Sequence, residues 1–380
     1  MIYLDNSATS FPKPRSVCEE MNKCMRFYCG NPGRGAHTLS MAAAEKVYEC
    51  REKISGLFGC KCVEKIIFTL NTSYAINIVL KGILKYGDHV ILSNLEHNSV
   101  FRPIYKMAKE KKIQYDIFDS LINDPNRSNE KICSSIEKLI KANTKLLICT
   151  HASNICSAIL PIKEIADLCH KYNILFVIDA AQSAGHVSIN MDEIGIDVIC
   201  APAHKGLLGP SGCGIIILRN NILLNTLIEG GSGVTSMDPN MPDLAPERYE
   251  AGTLGVPAIA GLCEGINVVK HIGIENISTH ERILYLRLHE MLNDLKNTFI
   301  YTPQYIGPIL LFNIKNMPAE LVEQELNKQG ICVRSGFHCA PLAHKTVGTG
   351  NNGAVRISFG IYNTLSDVEF LYKALKSLIL

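Results

Sequence analysis

The sequence carries little net charge. Its 38 Lys and Arg residues nearly balance its 36 Asp and Glu residues, so the formal net charge is +2. A balance of this kind gives no electrostatic bias towards nucleic acid or acidic membranes, and we expect neither as a partner. The chain also lacks an apolar run long enough to cross a bilayer. Its first residues, MIYLDNSATSFPKP, show no cationic start followed by an apolar segment, so we expect no secretory signal and a cytoplasmic location.

Cysteine is frequent, but the spacing of a disulfide scaffold is missing. The 15 cysteines are scattered along the chain, and we expect most of them to be reduced and buried as small apolar side chains. The closest pair, Cys60 and Cys62, has neither a second pair nor a nearby histidine, so no metal site is predicted. No G-x-G-x-x-G follows a strand and no G-x-x-x-x-G-K-[ST] occurs, which argues against nicotinamide and nucleoside-triphosphate sites.

Strand-like and helix-like segments alternate through the first two thirds of the chain. The clearest unit is the strand KLLICT, the amphipathic helix PIKEIADLCHKYN and the strand ILFVIDAAQ. Continuous apolar strands joined by a helix are typical of a parallel sheet that is covered on both faces. The runs KIIFTL, HVILSNLEH and DVICAPAHK also end in polar residues. In such sheets the ligand lies beyond the carboxyl ends of the strands, so these endings are where we expect the chemistry.

The character of the sequence changes at about residue 256. One long helical stretch is predicted over 257–297, and shorter strand-like and helix-like segments follow it to the end of the chain. We therefore expect a large domain over 12–255 and a smaller α+β domain formed by 1–11 and 256–380.

Two charged side chains at strand ends allow either an ordinary or a catalytic interpretation. Asp179 ends the run LFVID and is either a helix N-cap or a carboxylate facing a cationic ring nitrogen. Lys205 follows a strand in a turn of Gly and Pro, and is either an exposed loop lysine or a desolvated amine that forms an imine with a carbonyl cofactor.

Three further positions can be interpreted in the same two ways. Thr72 and Ser73 precede a predicted helix, where they form either a plain N-cap or a phosphate seat. His97 either lies flat on a planar ring or is a surface histidine. Taken together with Asp179 and Lys205, these positions predict a pyridoxal 5′-phosphate (PLP) site in which His204 holds the phosphate.

The motifs LDNSAT, GRGAHTLS, LEHNSV, HASN, IDAAQSAGH, AHKGLLGPSG, YEAGT and RSGFHCAPLAH give the sequence a clear resemblance. It resembles the class V aminotransferase-like PLP enzymes of fold type I, and among them the group II cysteine desulfurases and selenocysteine lyases. The resemblance covers essentially the whole chain. It implies an α/β fold with a mostly parallel seven-stranded sheet in the large domain, beside a smaller α+β C-terminal domain.

The resemblance also implies roles for individual residues. Lys205 would form the imine, Asp179 would face the pyridine nitrogen, Gln182 would reach the phenolic oxygen and His97 would stack on the ring. The remaining implied positions are phosphate contacts at Thr72, Ser73 and His204, a phosphate contact from a neighbouring subunit at Thr253, substrate-carboxylate contacts at Asn154 and Arg356, the sulfur-accepting nucleophile Cys339, and active-site histidines His37 and His338.

Two of these positions can also be argued from the residues themselves. The fork of Arg356 suits capture of a carboxylate, although an ion pair at an interface is the alternative. Cys339 lies beside Arg334 and His338, and cationic neighbours of this kind favour a thiolate. Inert burial is the alternative for any one of the 15 cysteines.

Three residues depart from the family pattern. Pro202 stands where many relatives carry a hydroxyl for the phosphate, and Tyr74 stands where many have Glu. Ser157 replaces a common Gly and is expected near the substrate, where it could narrow the pocket.

The function that the sequence predicts is removal of sulfur from L-cysteine to give L-alanine and a persulfide on Cys339. A selenocysteine lyase, or a class V aminotransferase or lyase in which Cys339 is incidental, is the alternative. A non-catalytic α/β scaffold is disfavoured because the PLP contacts are filled except at Pro202. Shared active sites in a homodimer and a sulfur-acceptor protein complete the expectation.

Overall fold

The large sheet follows the predicted pattern of buried parallel strands. The computed structural model describes residues 1–33, 35–302 and 304–379. Within them the sheet has seven strands, which are β2 (Ile66–Thr69), β3 (His89–Ser93), β4 (Gln114–Phe118), β5 (Thr144–Thr150), β6 (Leu175–Asp179), β7 (Val198–Pro202) and β8 (Gly214–Leu218). Their order is β2-β8-β7-β6-β5-β3-β4, and only β8 runs antiparallel to its two neighbours. The predicted mostly parallel seven-stranded sheet is confirmed.

Helices cover both faces of this sheet. They are α1 (Arg15–Phe27), α2 (Thr38–Phe58), α3 (Thr72–Ile83), α4 (Asn98–Lys109), α5 (Asn129–Glu137), α6 (Ile162–Lys171) and α7 (Met191–Ile194). Alternate residues of one strand belong to different apolar clusters, as Leu147 and Cys149 of β5 do on one face and Leu146 and Ile148 on the other. All four are fully buried. Burial of a Leu or Ile side chain contributes about 1.5–3 kcal/mol, which explains why the strands are apolar throughout.

A second unit contains the smaller sheets. Apart from β1 (Ile2–Tyr3), its elements follow α8 (Val256–Ile272) in the chain: α9 (Ile274–Asn293), β9 (Thr298–Tyr301), β10 (Ile309–Ile314), α10 (Ala319–Lys328), β11 (Ile331–Cys332), β12 (Arg334–Gly336), α11 (Pro341–Val347), β13 (Ala354–Ser358) and α12 (Leu365–Ile379). The antiparallel order is β12-β13-β10-β9, and β1 pairs with β11 in parallel. The first residues of the chain therefore lie beside its C-terminal region.

The prediction of one continuous helical stretch over 257–297 is wrong. Two helices, α8 and α9, occupy this stretch, and Gly273 separates them with φ 87° and ψ 132°. A residue with a Cβ rarely adopts such a positive φ, so the glycine ends α8 at this point. Since α8 packs against α1 and α2 while α9 packs against α12, we propose that the boundary between the units lies near Gly273.

The carboxyl ends of β5, β6 and β7 meet at one edge of the large sheet. Thr150 pairs with Asp179, and Asp179 pairs with Cys200, so their neighbouring loops emerge side by side. The turn after β7 packs on the turn after β6. A Cβ built on Gly206 would lie 2.3 Å from the carbonyl oxygen of Ala184, so only glycine permits this approach.

In the parts of the chain that the structure describes, no helix is long and apolar enough to span a membrane. The same residues contain no cluster of three or more His, Cys, Asp or Glu side chains suited to a metal ion.

Gly206→Ala should destabilise the protein by about 1–3 kcal/mol, because the added methyl group forces two packed turns apart. Gly56→Ala is the matched control. It lies within α2, and its Cβ would meet only the flexible end of Lys270 at 3.3 Å. The control should be neutral, or stabilising by up to about 1 kcal/mol, since alanine favours the helix. Urea unfolding of both variants measures the difference, and equal stability would show that the contact between the turns is dispensable.

Candidate active site

A cavity of about 570 Å³ lies at the carboxyl edge of the large sheet, where it meets the second unit. It is lined by most of the residues predicted for the site: Thr72, Ser73, His97, Asn154, Asp179, Gln182, His204, Lys205, His338, Cys339 and Arg356. These residues come from both ends of the chain and from several strand ends. A cavity of this size matches the usual volume of a small-molecule site.

Lys205 is held in place by its backbone rather than by its side chain. The preceding carbonyl oxygen, that of His204, accepts hydrogen bonds from Ser10 N at 3.0 Å and from Lys13 Nζ at 2.8 Å. Burial lowers the pKa of Lys205 to about 8, an effect that Asp179 opposes and Arg356 reinforces. An amine with this pKa is largely neutral just above pH 8 and can act as a nucleophile or a base.

Asp179 is a buried carboxylate rather than a helix N-cap. No helix begins in the turn that follows β6, and Asp179 Oδ1 accepts the N–H of Ala181 at 2.9 Å. Burial raises the pKa of Asp179, while that N–H and the positive charge of Lys205 lower it. Beside it, Gln182 donates its Nε2 to the carbonyl oxygen of Ser7 at 3.0 Å, which fixes the orientation of the amide. Both side chains line the cavity.

The predicted anion seat contains polar atoms without partners. Asn71 caps α3, with its Oδ1 accepting the N–H of Tyr74, so Thr72 and Ser73 form the first turn of the helix. Thr72 Oγ1 and His204 Nδ1 are buried and have no hydrogen-bond partner among the described residues. Buried polar groups are nearly always paired, so two such atoms in one cavity indicate a polar ligand. A phosphate at a helix N-terminus is a ligand that could accept hydrogen bonds from both of them.

His97 is fixed as a neutral imidazole. It caps α4, and its Nδ1 accepts the N–H of Ser99 at 3.0 Å. Burial, followed by the positive charges of Lys205 and Arg356, lowers the pKa of His97 to about 4. The proton is therefore on Nε2, and the ring carries no charge. Ser99 also contacts Ser73, with 2.6 Å between their Oγ atoms.

Arg356 combines the two alternatives that the sequence left open. It is 3% exposed, and its Nη2 donates to Asp5 Oδ1 at 2.7 Å while its Nη1 donates to the carbonyl oxygen of Asn154 at 2.9 Å. Its Nε is buried without a partner among the described residues. Arg356 lines the cavity and is thus an ion-paired side chain that keeps one donor unpaired among the described residues. Asp5 also binds Arg334 Nε at 2.9 Å. It lies in the LDNSAT motif, and no local pattern in the sequence indicates these contacts.

Cys339 lies on a loop that is held from both sides. His338 and Cys339 both have left-handed backbones, with φ values of 49° and 54°. Asn154 Nδ2 donates to the carbonyl oxygen of His338 at 2.8 Å, and Asn98 N donates to that of Cys339 at 2.7 Å. The Cys339 side chain itself is exposed. Burial and Arg356 lower the pKa of His338 to about 2, so this histidine stays neutral and supplies no positive charge to the thiol.

Two predicted site residues lie away from this cavity in the same chain. His37 is exposed and caps α2 by accepting the N–H of Ser40. Thr253 is exposed and lines two neighbouring cavities, one of which shares Tyr74 with the main one.

The three departures from the family pattern occupy different places. Pro202 and Tyr74 line the main cavity. Ser157 does not; its Oγ accepts the N–H of Ile309 at 3.0 Å and donates to the Ile309 carbonyl oxygen. The expectation that Ser157 narrows the pocket is therefore wrong, because its hydroxyl is engaged with the backbone of β10.

Glu96 is a buried residue that the sequence analysis left without a role. Its Oε1 accepts the N–H of Thr150 at 2.8 Å and the hydroxyl of Ser93, so it joins the ends of β5 and β3. Complete burial raises the pKa of Glu96 to about 8. A carboxyl group directly before His97 and adjoining a strand end is the signal that could have identified it.

Comparison with known proteins places the chain in a family. Residues 2–371 match the family model described as aminotransferase class-V. A probable cysteine desulfurase of Methanothermobacter thermautotrophicus is 35% identical over 388 residues, covering 99% of this chain and 94% of its own. One from Pyrococcus abyssi is 32% identical, covering 100% and 94%. The apo structure of cysteine desulfurase from Thermococcus onnurineus NA1 superposes with a TM-score of 0.89 at 31% identity, covering 100% of this chain and 94% of that one.

The fold and the site thus define a class V aminotransferase-like protein, and the chain belongs to that family.

The Lys205 amine should titrate near pH 8 rather than near its ordinary value of 10.5. Acetylation of Lys205 in cofactor-free protein, followed by mass spectrometry, should rise through a midpoint near pH 8, because only the neutral amine reacts. The exposed Lys61 serves as the reference lysine in the same sample. Asp179→Asn should move the midpoint lower, since it removes a carboxylate that favours the charged amine. A midpoint near 10.5, or an upward shift in the variant, would contradict this electrostatic account.

Proposed function

We propose that this protein is a cysteine desulfurase that converts L-cysteine into L-alanine and leaves the sulfur as a persulfide on Cys339. The observation that carries the proposal is that one cavity is lined both by Lys205, an amine with a depressed pKa, and by Cys339, an exposed thiol on an anchored loop. The named relatives are cysteine desulfurases or probable cysteine desulfurases.

We propose pyridoxal 5′-phosphate as the cofactor, because the residues present fit it. The unpartnered atoms of Thr72 and His204, together with Ser73, suit the phosphate, and Asp179 and Gln182 suit the ring nitrogen and the phenolic oxygen. His97 would contact the face of the ring. When bound, PLP serves as an electron sink that makes the Cα–H bond of an amino acid acidic.

The residues of the chain supply the proton transfers. Lys205 Nζ, neutral near pH 8, takes the proton from the substrate Cα and later delivers a proton to carbon. Asp179, as a carboxylate, would stabilise a protonated ring nitrogen. His97 stays neutral, because burial and Lys205 lower its pKa to about 4, so it does not compete with Lys205 for the proton.

Cys339 supplies the nucleophile. Its thiolate attacks the sulfur of the substrate, a new S–S bond forms and the C–S bond breaks, with the electron pair passing to Cβ. Protonation of the carbon gives the methyl group of alanine, and one thiol plus cysteine therefore yields alanine and one persulfide. The exposure of Cys339 would allow a sulfur-acceptor protein to take the sulfur afterwards.

The substrate carboxylate is proposed to bind Arg356. Arg356 lines the cavity and has an Nε–H without a partner among the described residues, so a charge-assisted donor remains for a carboxylate. Asn154 contributes through its backbone oxygen, which holds Arg356, and through its amide, which holds the loop of Cys339. The same residue thus links the carboxylate site to the nucleophile.

A homodimer with shared active sites is proposed from the position of Thr253. This residue lies outside its own chain's main cavity, on a surface that exposes large apolar side chains, with Tyr48 48%, Leu70 57% and Ile228 48% exposed. Leu70 and Ile228 line one of the two cavities beside Thr253 and Tyr48 lines the other, and exposed apolar side chains grouped in this way are typical of an interface between proteins. With 15 free cysteines, we propose that the protein works in a reducing compartment such as the cytosol.

Cys339→Ala should reduce alanine release from L-cysteine by more than about 1,000-fold, because no thiol remains to accept the sulfur. Visible absorbance should show that PLP still binds, since Cys339 is not among the proposed cofactor contacts. Cys18→Ala, at another exposed cysteine, is the control and should retain activity.

Alanine release from L-selenocysteine by Cys339→Ala tests the neighbouring activity, because selenium leaves carbon more readily than sulfur does. Full cysteine activity in that variant would refute the desulfurase assignment. Pyruvate or a new amino acid as the main product of the unaltered protein would identify a lyase or an aminotransferase instead.

Thr253→Ala should weaken PLP binding about 10-fold, through loss of a charge-assisted hydrogen bond supplied across the dimer. Thr279→Ala, at an exposed threonine of α9, is the matched control and should bind PLP normally. Fluorescence titration gives both affinities, and analytical ultracentrifugation gives the oligomeric state. A monomeric protein, or equal PLP affinity in the two variants, would exclude the shared site.

A further inference from the structure

Behind the Cys339 loop lies a chain of two imidazoles and a hydroxyl group. His338 Nδ1 is 2.9 Å from His344 Nε2, and His344 Nδ1 is 2.8 Å from Thr349 Oγ1. The two ring planes are nearly parallel, at 16° to each other, with their centroids 5.1 Å apart. His344 is fully buried and Thr349 is 6% exposed.

The contact with one backbone carbonyl shows in which direction the hydrogen bonds of this chain run. His338 Nε2 lies 3.2 Å from the carbonyl oxygen of Arg334, which can only accept, so the proton of His338 is on Nε2. The Nδ1 of a neutral His338 must then accept, and His344 Nε2 must donate to it. The remaining nitrogen, His344 Nδ1, accepts the hydroxyl hydrogen of Thr349.

Both histidines are neutral, as this arrangement requires. Burial and the nearby Arg356 lower the pKa of His338 to about 2 and that of His344 to about 4. The chain therefore has three donors and three acceptors, and each donor faces one acceptor. Neither ring nitrogen of His338 is left to exchange a proton with Cys339 or with a substrate.

The backbone around the nucleophile is fixed at the same time. The carbonyl oxygen of His338 accepts the amide of Asn154, and the carbonyl oxygen of Cys339 accepts the N–H of Asn98. His338 is thus held through both its ring and its backbone, and the thiol of the adjacent Cys339 remains exposed.

We propose that His344 and Thr349 are positioning residues that hold His338 in its Nε2–H tautomer and so keep the left-handed loop of Cys339 in the geometry needed for sulfur transfer. The inference rests on the proposed desulfurase function and adds to it a role for a histidine pair outside the cofactor contacts. His338 is, on this view, an anchor of the loop and not a general base.

The test uses two replacements at His344 that differ in the position of one amide. His344→Gln can place an N–H where Nε2 lies and donate to His338 Nδ1, whereas His344→Asn is too short to do so. Thr349→Val and Thr349→Ser form a second pair, which removes or keeps the hydroxyl at nearly constant size. Circular dichroism and thermal unfolding of all four variants show whether each one folds.

Turnover of L-cysteine by the PLP-loaded enzyme is the first readout. His344→Asn should lose about 100-fold in kcat with little change in KM, because a displaced nucleophile reacts poorly while the carboxylate site is intact. His344→Gln should recover most of that loss. Thr349→Val should lower kcat about 5-fold, which is the effect of one hydrogen bond, whereas Thr349→Ser should leave kcat unchanged.

Two further readouts need neither PLP nor turnover. Nitrogen-15 NMR of histidine-labelled protein should show His338 protonated on Nε2 in the unaltered protein and in His344→Gln, but mixed tautomers in His344→Asn and Thr349→Val. Alkylation of Cys339 by iodoacetamide, relative to the exposed Cys18, should change less than about 3-fold in any variant, because attack on a small diffusing reagent needs no positioned loop.

A proton on Nδ1 of His338 in the unaltered protein would overturn the proposal, as would equal loss of kcat in His344→Gln and His344→Asn variants that fold. If the Thr349 pair showed no difference in tautomer or in kcat, the role of Thr349 would be refuted. Should the unaltered enzyme release no alanine from cysteine, the desulfurase proposal fails, whereas the tautomer measurement still decides the direction of the hydrogen-bond chain.

Discussion

The Asp5 carboxylate, held between Arg334 and Arg356, is the contact on which the site depends. It binds Arg334 Nε at 2.9 Å and Arg356 Nη2 at 2.7 Å, and so ties the first residues of the chain to β12 and β13. Arg356 is 3% exposed, and loss of one partner from a buried ion pair costs about 3–5 kcal/mol. Asp5 therefore stabilises a buried guanidinium at the edge of an apolar sheet.

From Arg356 the same network extends to the nucleophile. Its Nη1 holds the backbone oxygen of Asn154, and the Asn154 side chain holds the carbonyl oxygen of His338. Because the three contacts form one continuous path, the group proposed to bind the substrate carboxylate and the loop that carries Cys339 share a single support. Substitution of Asp5 should therefore disturb both Arg356 and the Cys339 loop, although Asp5 does not line the cavity.

The sequence predicts the part of the site that follows directly from local pattern. Asp179, His97 and Lys205 each come after an apolar run, and parallel strands bring such endings to one edge of a sheet, as the pairing of Thr150 with Asp179 shows. For Cys339 and Arg356 the chemistry of the residues leaves inert burial and an interface ion pair open, and the family resemblance is what favours the functional interpretation. The contacts of Asp5 could not be predicted, since its partner Arg356 lies 351 residues further along the chain.

Helical periodicity likewise predicted the helices of 257–297 but not the break at Gly273. Apolar spacing continues through both α8 and α9, whereas the break depends on which neighbours each helix contacts, namely α1 and α2 for α8 and α12 for α9. The role of Ser157 was missed for a similar reason. Its hydroxyl bonds to the backbone of Ile309, a partner far away in sequence that no local pattern indicates.

The positive charge of the cavity comes from its lysine and arginine side chains rather than from its histidines. Burial keeps His97, His204 and His338 neutral, with pKa values lowered to about 4, about 4 and about 2. The charged groups that line the cavity are then Lys205, Arg334 and Arg356 against the single carboxylate of Asp179. This excess of positive charge suits a phosphate and a substrate carboxylate together.

The loop of Cys339 carries backbone strain at two consecutive residues. A left-handed backbone conformation costs about 1–2 kcal/mol at a residue with a Cβ, and both His338 and Cys339 adopt it. The cost is offset by hydrogen bonds from Asn154 and Asn98 and by the ring contacts of His338. An extended backbone at these two residues would lose those bonds, so the conformation that exposes the thiol is also the one that satisfies the buried polar groups around it.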